Sequence, residues 1–204
     1  MIQRFRNSRI GFAFFGVMIL ICFFPLNSFS KFQQVQKGNY KTLNDSVFAV
    51  DDLIRTPAIL FDLGRCELKT DSSFDAVDSL KPVTLFLKKF PNLVVEFGCH
   101  TDYVDPSSSQ RLTYCRARSC YEALLKLGVD SARLSFNGYG ASAPFVLQND
   151  IILPSGKVAP KGMILNGEML DRKFPPRWKN PDNAFLRSLD RRTELKILKT
   201  DFKQ

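Results

Sequence analysis

The 204-residue chain holds one histidine, His100, one tryptophan, Trp178, and no two cysteines at C-x-x-C spacing. A zinc site built from paired thiolates and imidazoles therefore lacks its donors. There is no G-x-S-x-G motif, and Cys99 and His100, adjacent on one strand, point to opposite faces. A nucleophile, a base and a group that orients the base are thus not brought together. Neither an enzyme nor a cofactor is expected. Acidic residues are also scarce, 20 against 29 Lys and Arg, for a net charge of +9. No basic stripe interleaved with aromatics accompanies that excess, so nucleic acid is not the expected partner. A diffusely basic surface that meets anionic surfaces or carboxylate-bearing polymers is.

The first nine residues contain Arg4, Arg6 and Arg9 and no acid; an apolar run from Ile10 to Leu26 and then Asn27-Ser28-Phe29-Ser30 follow. A basic start, an apolar middle and small residues at 28 and 30 form a secretory signal, with cleavage predicted after Ser30. The alternative is an uncleaved inner-membrane anchor over residues 10–26, at the lower edge of a spanning length. Pro25 favours cleavage, which lowers the net charge from +9 to +6. The expected location is the periplasm, in association with the cell wall and the outer membrane. Residues 31–55 are mixed and polar and read as a linker or arm, leaving one domain over residues 56–200.

Cys66, Cys99, Cys115 and Cys120 remain after export. Five residues of helix separate Cys115 from Cys120 by about 7.5 Å of rise and turn their side chains about 140° apart, which is unsuitable for a disulfide. Any disulfide joins distant segments, Cys66 with Cys99 being the favoured pair. Cys120 falls on an apolar helix stripe.

Apolar periodicity gives the order of elements. Ala58-Ile59-Leu60-Phe61-Asp62 reads as a first strand. Phe74, Val77, Leu80, Val83, Leu87 and Phe90 form one helix face, starting at Asp71 or Ser72, with a kink or restart expected at Pro82. Leu93-Val94-Val95-Glu96-Phe97 is a second strand. A helix over about Ser108 to Leu127 buries Ala117, Cys120, Leu124 and Leu127 and stops at Gly128. Arg133 to Asn137 is a third strand and Arg192 to Leu198 a fourth. Residues 145–185 hold five prolines and little periodicity, and are predicted to be an irregular insertion with one short helix, anchored by a buried Trp178. The fold class is α+β: two main helices packed on a small mixed four-stranded sheet, β-α-β-α-β-(insertion)-β.

The chemistry gathers between His100-Thr101-Asp102, at a strand end, and Arg116, near a helix start. A carboxylate and a guanidinium in that frame can grip a small zwitterion, Asp102 taking an ammonium and Arg116 a carboxylate. Thr101 and Ser109 are positioned to add hydrogen bonds. Alternation from Leu195 and Ile197 places Arg191 on the core side as a buttress of the site and Arg192 in solvent. His100 is expected to brace the strand end.

Five segments in order resemble the OmpA-like C-terminal domain family. They are Phe61-Asp62; Gly98-Cys99-His100-Thr101-Asp102; Leu112-Thr113 with Arg116-Ala117; Gly138-Tyr139-Gly140 with Pro144; and Asp190-Arg191-Arg192-Thr193-Glu194. Ser109 and Asp190 stand where that family has Asn. The resemblance covers about residues 57–144 and 186–198. It implies a non-catalytic module that binds peptidoglycan through the diaminopimelate of its stem peptide and anchors an envelope assembly, with a protein partner in the periplasm or outer membrane. Asp102, Arg116, Thr101, Ser109 and Arg191 would be its peptidoglycan-binding residues. The alternative is a degenerate scaffold of the same fold that binds a protein through its insertion and no longer binds the wall.

Overall fold

The structure, a computed structural model, describes residues 40–71, 75–104, 106–176 and 178–203, without the side chains of residues 106–109. The predicted signal segment, the start of the linker, Phe74 and the Ser109 side chain lie outside the described residues. Among those described, no helix is long and apolar enough to cross a membrane.

The architecture is α+β. Strands β1 (Tyr40–Lys41), β2 (Leu53–Arg55), β3 (Val94–His100), β4 (Leu134–Gly140) and β7 (Thr193–Lys199) make one sheet in the order β1-β2-β7-β3-β4. β7 is central and antiparallel to both β2 and β3, while β3 and β4 run parallel. Helices α1 (Lys81–Lys89) and α2 (Pro106–Lys126) share one core with the sheet: Val83, Leu87, Ala117, Cys120 and Leu124 pack with Val95, Phe97, Leu195 and Ile197.

Several expectations are corrected. The sheet has five strands rather than four, because residues 40–55, expected in a linker, supply two of them; Leu53 and Ile54 are buried. The first long apolar run is not a strand. Pro57 has no N–H to give a ladder, so pairing with β7 stops before Ala58–Asp62, which keeps only an isolated bridge from Phe61 to Leu68. The helix expected from Asp71 or Ser72 starts later: Asp75 is bridged to Thr70, a 3-10 turn, Asp78–Leu80, hands over to α1, and Pro82 falls in its first turn, where its missing N–H costs nothing.

The insertion is far more ordered than its prolines suggested. It contains a hairpin, β5 (Ile151–Ile152) with β6 (Val158–Ala159), and two helices, α3 (Gly167–Lys173) and α4 (Pro181–Asp190). Asn166 and Asn180 cap the helices by accepting from backbone N–H groups. Phe145, Leu147, Leu165, Leu170, Phe174 and Leu186 form an apolar cluster of its own. Trp178 is not its anchor; it is 71% exposed, with the Arg187 guanidinium 5.3 Å from its ring centre.

One glycine fixes how close α2 comes to the sheet. A Cβ on Gly138 would lie 2.0 Å from the backbone nitrogen of Tyr114, so helix and strand touch backbone to backbone. The Thr113 hydroxyl accepts from the Gly140 N–H at 2.9 Å in the same contact. Gly138→Ala is therefore expected to destabilise the protein by about 3 kcal/mol or more, read as a lower urea midpoint with an unchanged slope.

Candidate functional site

Arg116 lies on α2 two residues beyond the contact with Gly138, and its side chain is half-buried. Its Nε donates to the Arg65 carbonyl at 2.9 Å and its Nη2 to the Asp62 carbonyl at 3.2 Å, and its guanidinium sits 4.9 Å from the Phe61 ring centre. A disulfide between Cys66 and Cys115, with Cα atoms 5.5 Å apart, ties that loop to the residue before Arg116. The favoured pairing of Cys66 with Cys99 is thus corrected. Cys99 points from β3 into the core, where it and Cys120 are free and buried.

Asp102 follows β3. The Thr101 N–H donates to the Gly140 carbonyl at 2.9 Å, pinning the loop to β4, and Asp102 Oδ1 accepts from the Val104 N–H at 3.1 Å. Asp102 does not face Arg116 as a partner. Its Oδ2 accepts from Arg191 Nη1 at 2.5 Å, and Arg187 Nη1 is 3.6 Å away. The carboxylate is almost fully buried between these two guanidiniums.

The orientations expected of Arg191 and Arg192 are reversed. The Arg191 side chain is about half exposed at 49%, whereas that of Arg192 is fully buried. Arg191 ends α4 and precedes β7, so the alternation of the strand does not extend to it. Arg192 Nε donates to Glu194 Oε2 at 2.9 Å and to the Tyr40 hydroxyl at 3.0 Å, and its Nη2 donates to the Ala143 carbonyl at 3.3 Å. Its Nη1 lies 3.5 Å from Asp190 Oδ1. The Tyr40 hydroxyl donates to Glu194 as well.

His100 braces the strand end as expected: it stacks on Tyr139, with ring centres 4.8 Å apart, and its Nε2 is 2.9 Å from Glu194 Oε1. Burial, reinforced by the Arg192 charge, lowers the His100 pKa from its usual value. Burial opposes ionisation of Glu194, but His100, Arg192 and Tyr40 outweigh it and hold the carboxyl well below the usual range. Burial pushes the Asp190 carboxyl up to about 7, against the Phe145 N–H and Arg192.

These groups border a cavity of about 420 Å³, a size suited to a small ligand or a peptide side chain. Arg55, Arg116, Arg191 and Arg192 line it, together with His100 and Phe61, and no acidic residue is among the described residues that do so. Of the sequence-derived set, Arg116 and Arg191 reach the cavity; Asp102 stands behind Arg191, and Thr101 contributes its backbone. Arg55 and Arg187 were missed. Neither had a signal: Arg187 neighbours Arg191 only through the unpredicted α4, and Arg55 ends a three-residue strand.

No protein-family model matches the chain. Outer membrane porin F of Pseudomonas fluorescens is 32% identical over 87 residues, which are 42% of this chain and 26% of the porin, so the match spans a minor part of that relative. Among solved structures, the periplasmic domain of Helicobacter pylori MotB is similar at 15% identity and a TM-score of 0.47, over 72% of this chain and 81% of that one. The peptidoglycan-associated lipoprotein of Burkholderia pseudomallei is similar at 16% identity and a TM-score of 0.38, over 71% and 88%.

Two buried titratable groups make folding pH-dependent in opposite senses. Asp190, raised from 3.8 to about 7, favours the folded state fully below its unfolded value, and that contribution is lost as pH rises through about 7. His100, lowered from 6.5, works the other way, stabilising above its unfolded value and losing that contribution as pH falls. In Asp190→Asn the falling component is absent. The stability of wild type relative to this variant, from urea unfolding, is expected to decline steadily from about pH 4 to about pH 7.

Proposed function

We propose that this chain, which resembles OmpA-like C-terminal domains, is a non-catalytic peptidoglycan-binding module of the bacterial cell envelope. It would hold the diaminopimelate-bearing stem peptide and anchor an envelope assembly to the wall. The observation that carries this reading is Arg116, held by two carbonyls and an aromatic face at a cavity whose charged lining, among the described residues, is cationic. A guanidinium fixed in that way, with its remaining N–H groups available, is a receptor for a carboxylate. The resemblance of the five ordered motifs implies a ligand role for the same arginine.

The Cys66–Cys115 disulfide supports an exported location, since such bonds persist in oxidising compartments. We place the mature protein in the periplasm, with Lys31 as its first residue after signal cleavage. N-terminal sequencing of the mature protein checks this, and an intact Met1 would favour an inner-membrane anchor over residues 10–26.

Within this reading Asp102 acts through Arg191, which it holds at the cavity edge. An ammonium could contact Asp102 only if Arg191 and Arg187 gave way. In a pull-down with purified peptidoglycan at moderate salt, wild type is expected to be retained and Arg116→Ala to lose about 2–5 kcal/mol of binding. Asp102→Ala, which unfastens Arg191, is expected to weaken retention less. Equal retention of wild type and Arg116→Ala would remove the site from consideration. Absence of retention even in wild type would favour the protein-binding scaffold, for which the exposed Trp178 beside Arg187 is the candidate contact.

A further inference from the structure

Four guanidiniums border the cavity, and their countercharges are unevenly distributed. Arg192 is neutralised from within by Glu194. Arg191 is neutralised by Asp102. Arg116 has only carbonyl oxygens and the Phe61 ring as partners, and Arg55 has the Leu189 carbonyl at 3.4 Å and the Phe145 ring at 5.4 Å. Among the described residues no carboxylate pairs with either of these two. Among the described residues the cavity therefore presents two guanidiniums with no carboxylate paired to them, one from the end of β2 and one from α2. Of the carboxylates behind its wall, Glu194 is taken up by Arg192 and His100, and Asp102 is outnumbered by Arg187 and Arg191.

We propose that this cavity takes a ligand bearing two carboxylates, one on Arg116 and the second on Arg55, and does not read an ammonium group. The inference rests on the wall-binding reading and gives its ligand chemistry. Two separated guanidiniums match two anionic ends, each through paired N–H donors. An ammonium, by contrast, would have to displace a guanidinium from Asp102 while entering a site of net positive charge, which disfavours it on both counts. Peptide stems rich in free carboxylates and simple aliphatic diacids share the required chemistry, and the choice of probe separates them.

The experiment titrates the purified full chain with three compounds by calorimetry. Pimelate keeps both carboxylates of diaminopimelate and lacks both amines; the others are diaminopimelate itself and pimelate monoamide. Pimelate and diaminopimelate are expected to bind within about threefold of each other, and the monoamide about tenfold more weakly, since it forfeits one charge-assisted pair. Arg55→Gln is expected to weaken pimelate about tenfold, to the level of the monoamide, and Arg55→Lys to restore part of the loss. A urea midpoint equal to that of wild type reports that the variant is folded. Diaminopimelate binding tenfold or more tighter than pimelate would overturn the inference, because the ammonium is then being read. So would pimelate binding indifferent to Arg55→Gln. Retention on whole peptidoglycan is scored separately. Retention without pimelate binding sinks this inference and leaves wall binding standing, and pimelate binding without retention does the reverse.

Discussion

A guanidinium fully withdrawn from water must be neutralised where it sits, and that of Arg192 is the constraint on which the upper half of this molecule depends. Its partners come from separate parts of the chain: Tyr40 from the edge strand, Glu194 from the central strand, Asp190 from the end of α4, and the Ala143 carbonyl from the start of the insertion. Breaking such a cluster on one side leaves an uncompensated buried charge, a loss of several kcal/mol, on the order of 3–5. The contact explains why residues 40–55 are docked rather than loose. It also explains why a proline-rich insertion is packed at all, since Phe145 lies against both Tyr40 and the Arg192 guanidinium.

The electrostatics of the cavity follow from this arrangement. The acids nearest to it are already committed: Glu194 and Asp190 to Arg192, and Asp102 to the arginines of α4. Arg116 is positioned by neutral oxygens rather than by an anion, so orientation is achieved without spending the charge. A site pre-organised in this way loses little side-chain freedom when an anion arrives. The backbone contact at Gly138 and the disulfide at Cys115 fix the helix turn that carries Arg116 from two sides.

Much of the core was legible in the sequence because period-two and period-3.6 patterns record burial on one face. Val95 and Phe97, Leu195 and Ile197, and Ala117, Cys120 and Leu124 all lie where those patterns put them. The patterns failed where both faces of an element are covered. Thr193, Glu194 and Leu195 are buried in succession, so alternation carried no information there about Arg191 and Arg192. The run at Ala58–Asp62 misled for a different reason. It is apolar enough for a strand, and Ile59 does enter the core, but Pro57 removes it from the ladder. The pairing of Asp102 was illegible because it depends on an insertion helix that carries no motif. Its two arginines, Arg187 and Arg191, are neighbours only once α4 exists.

The place of the cavity in the sheet has a mechanical meaning. Arg55 ends β2, His100 ends β3, and Arg191 and Arg192 lead directly into β7, so one rim gathers the ends of three adjacent strands. β7 is held by ladders on both sides, to β2 and to β3. That strand cannot slide until the hydrogen bonds of both ladders shear together. Peeling from an edge, in which bonds fail one after another, is the weaker geometry. The middle strand of this rim is therefore the one that the sheet holds hardest.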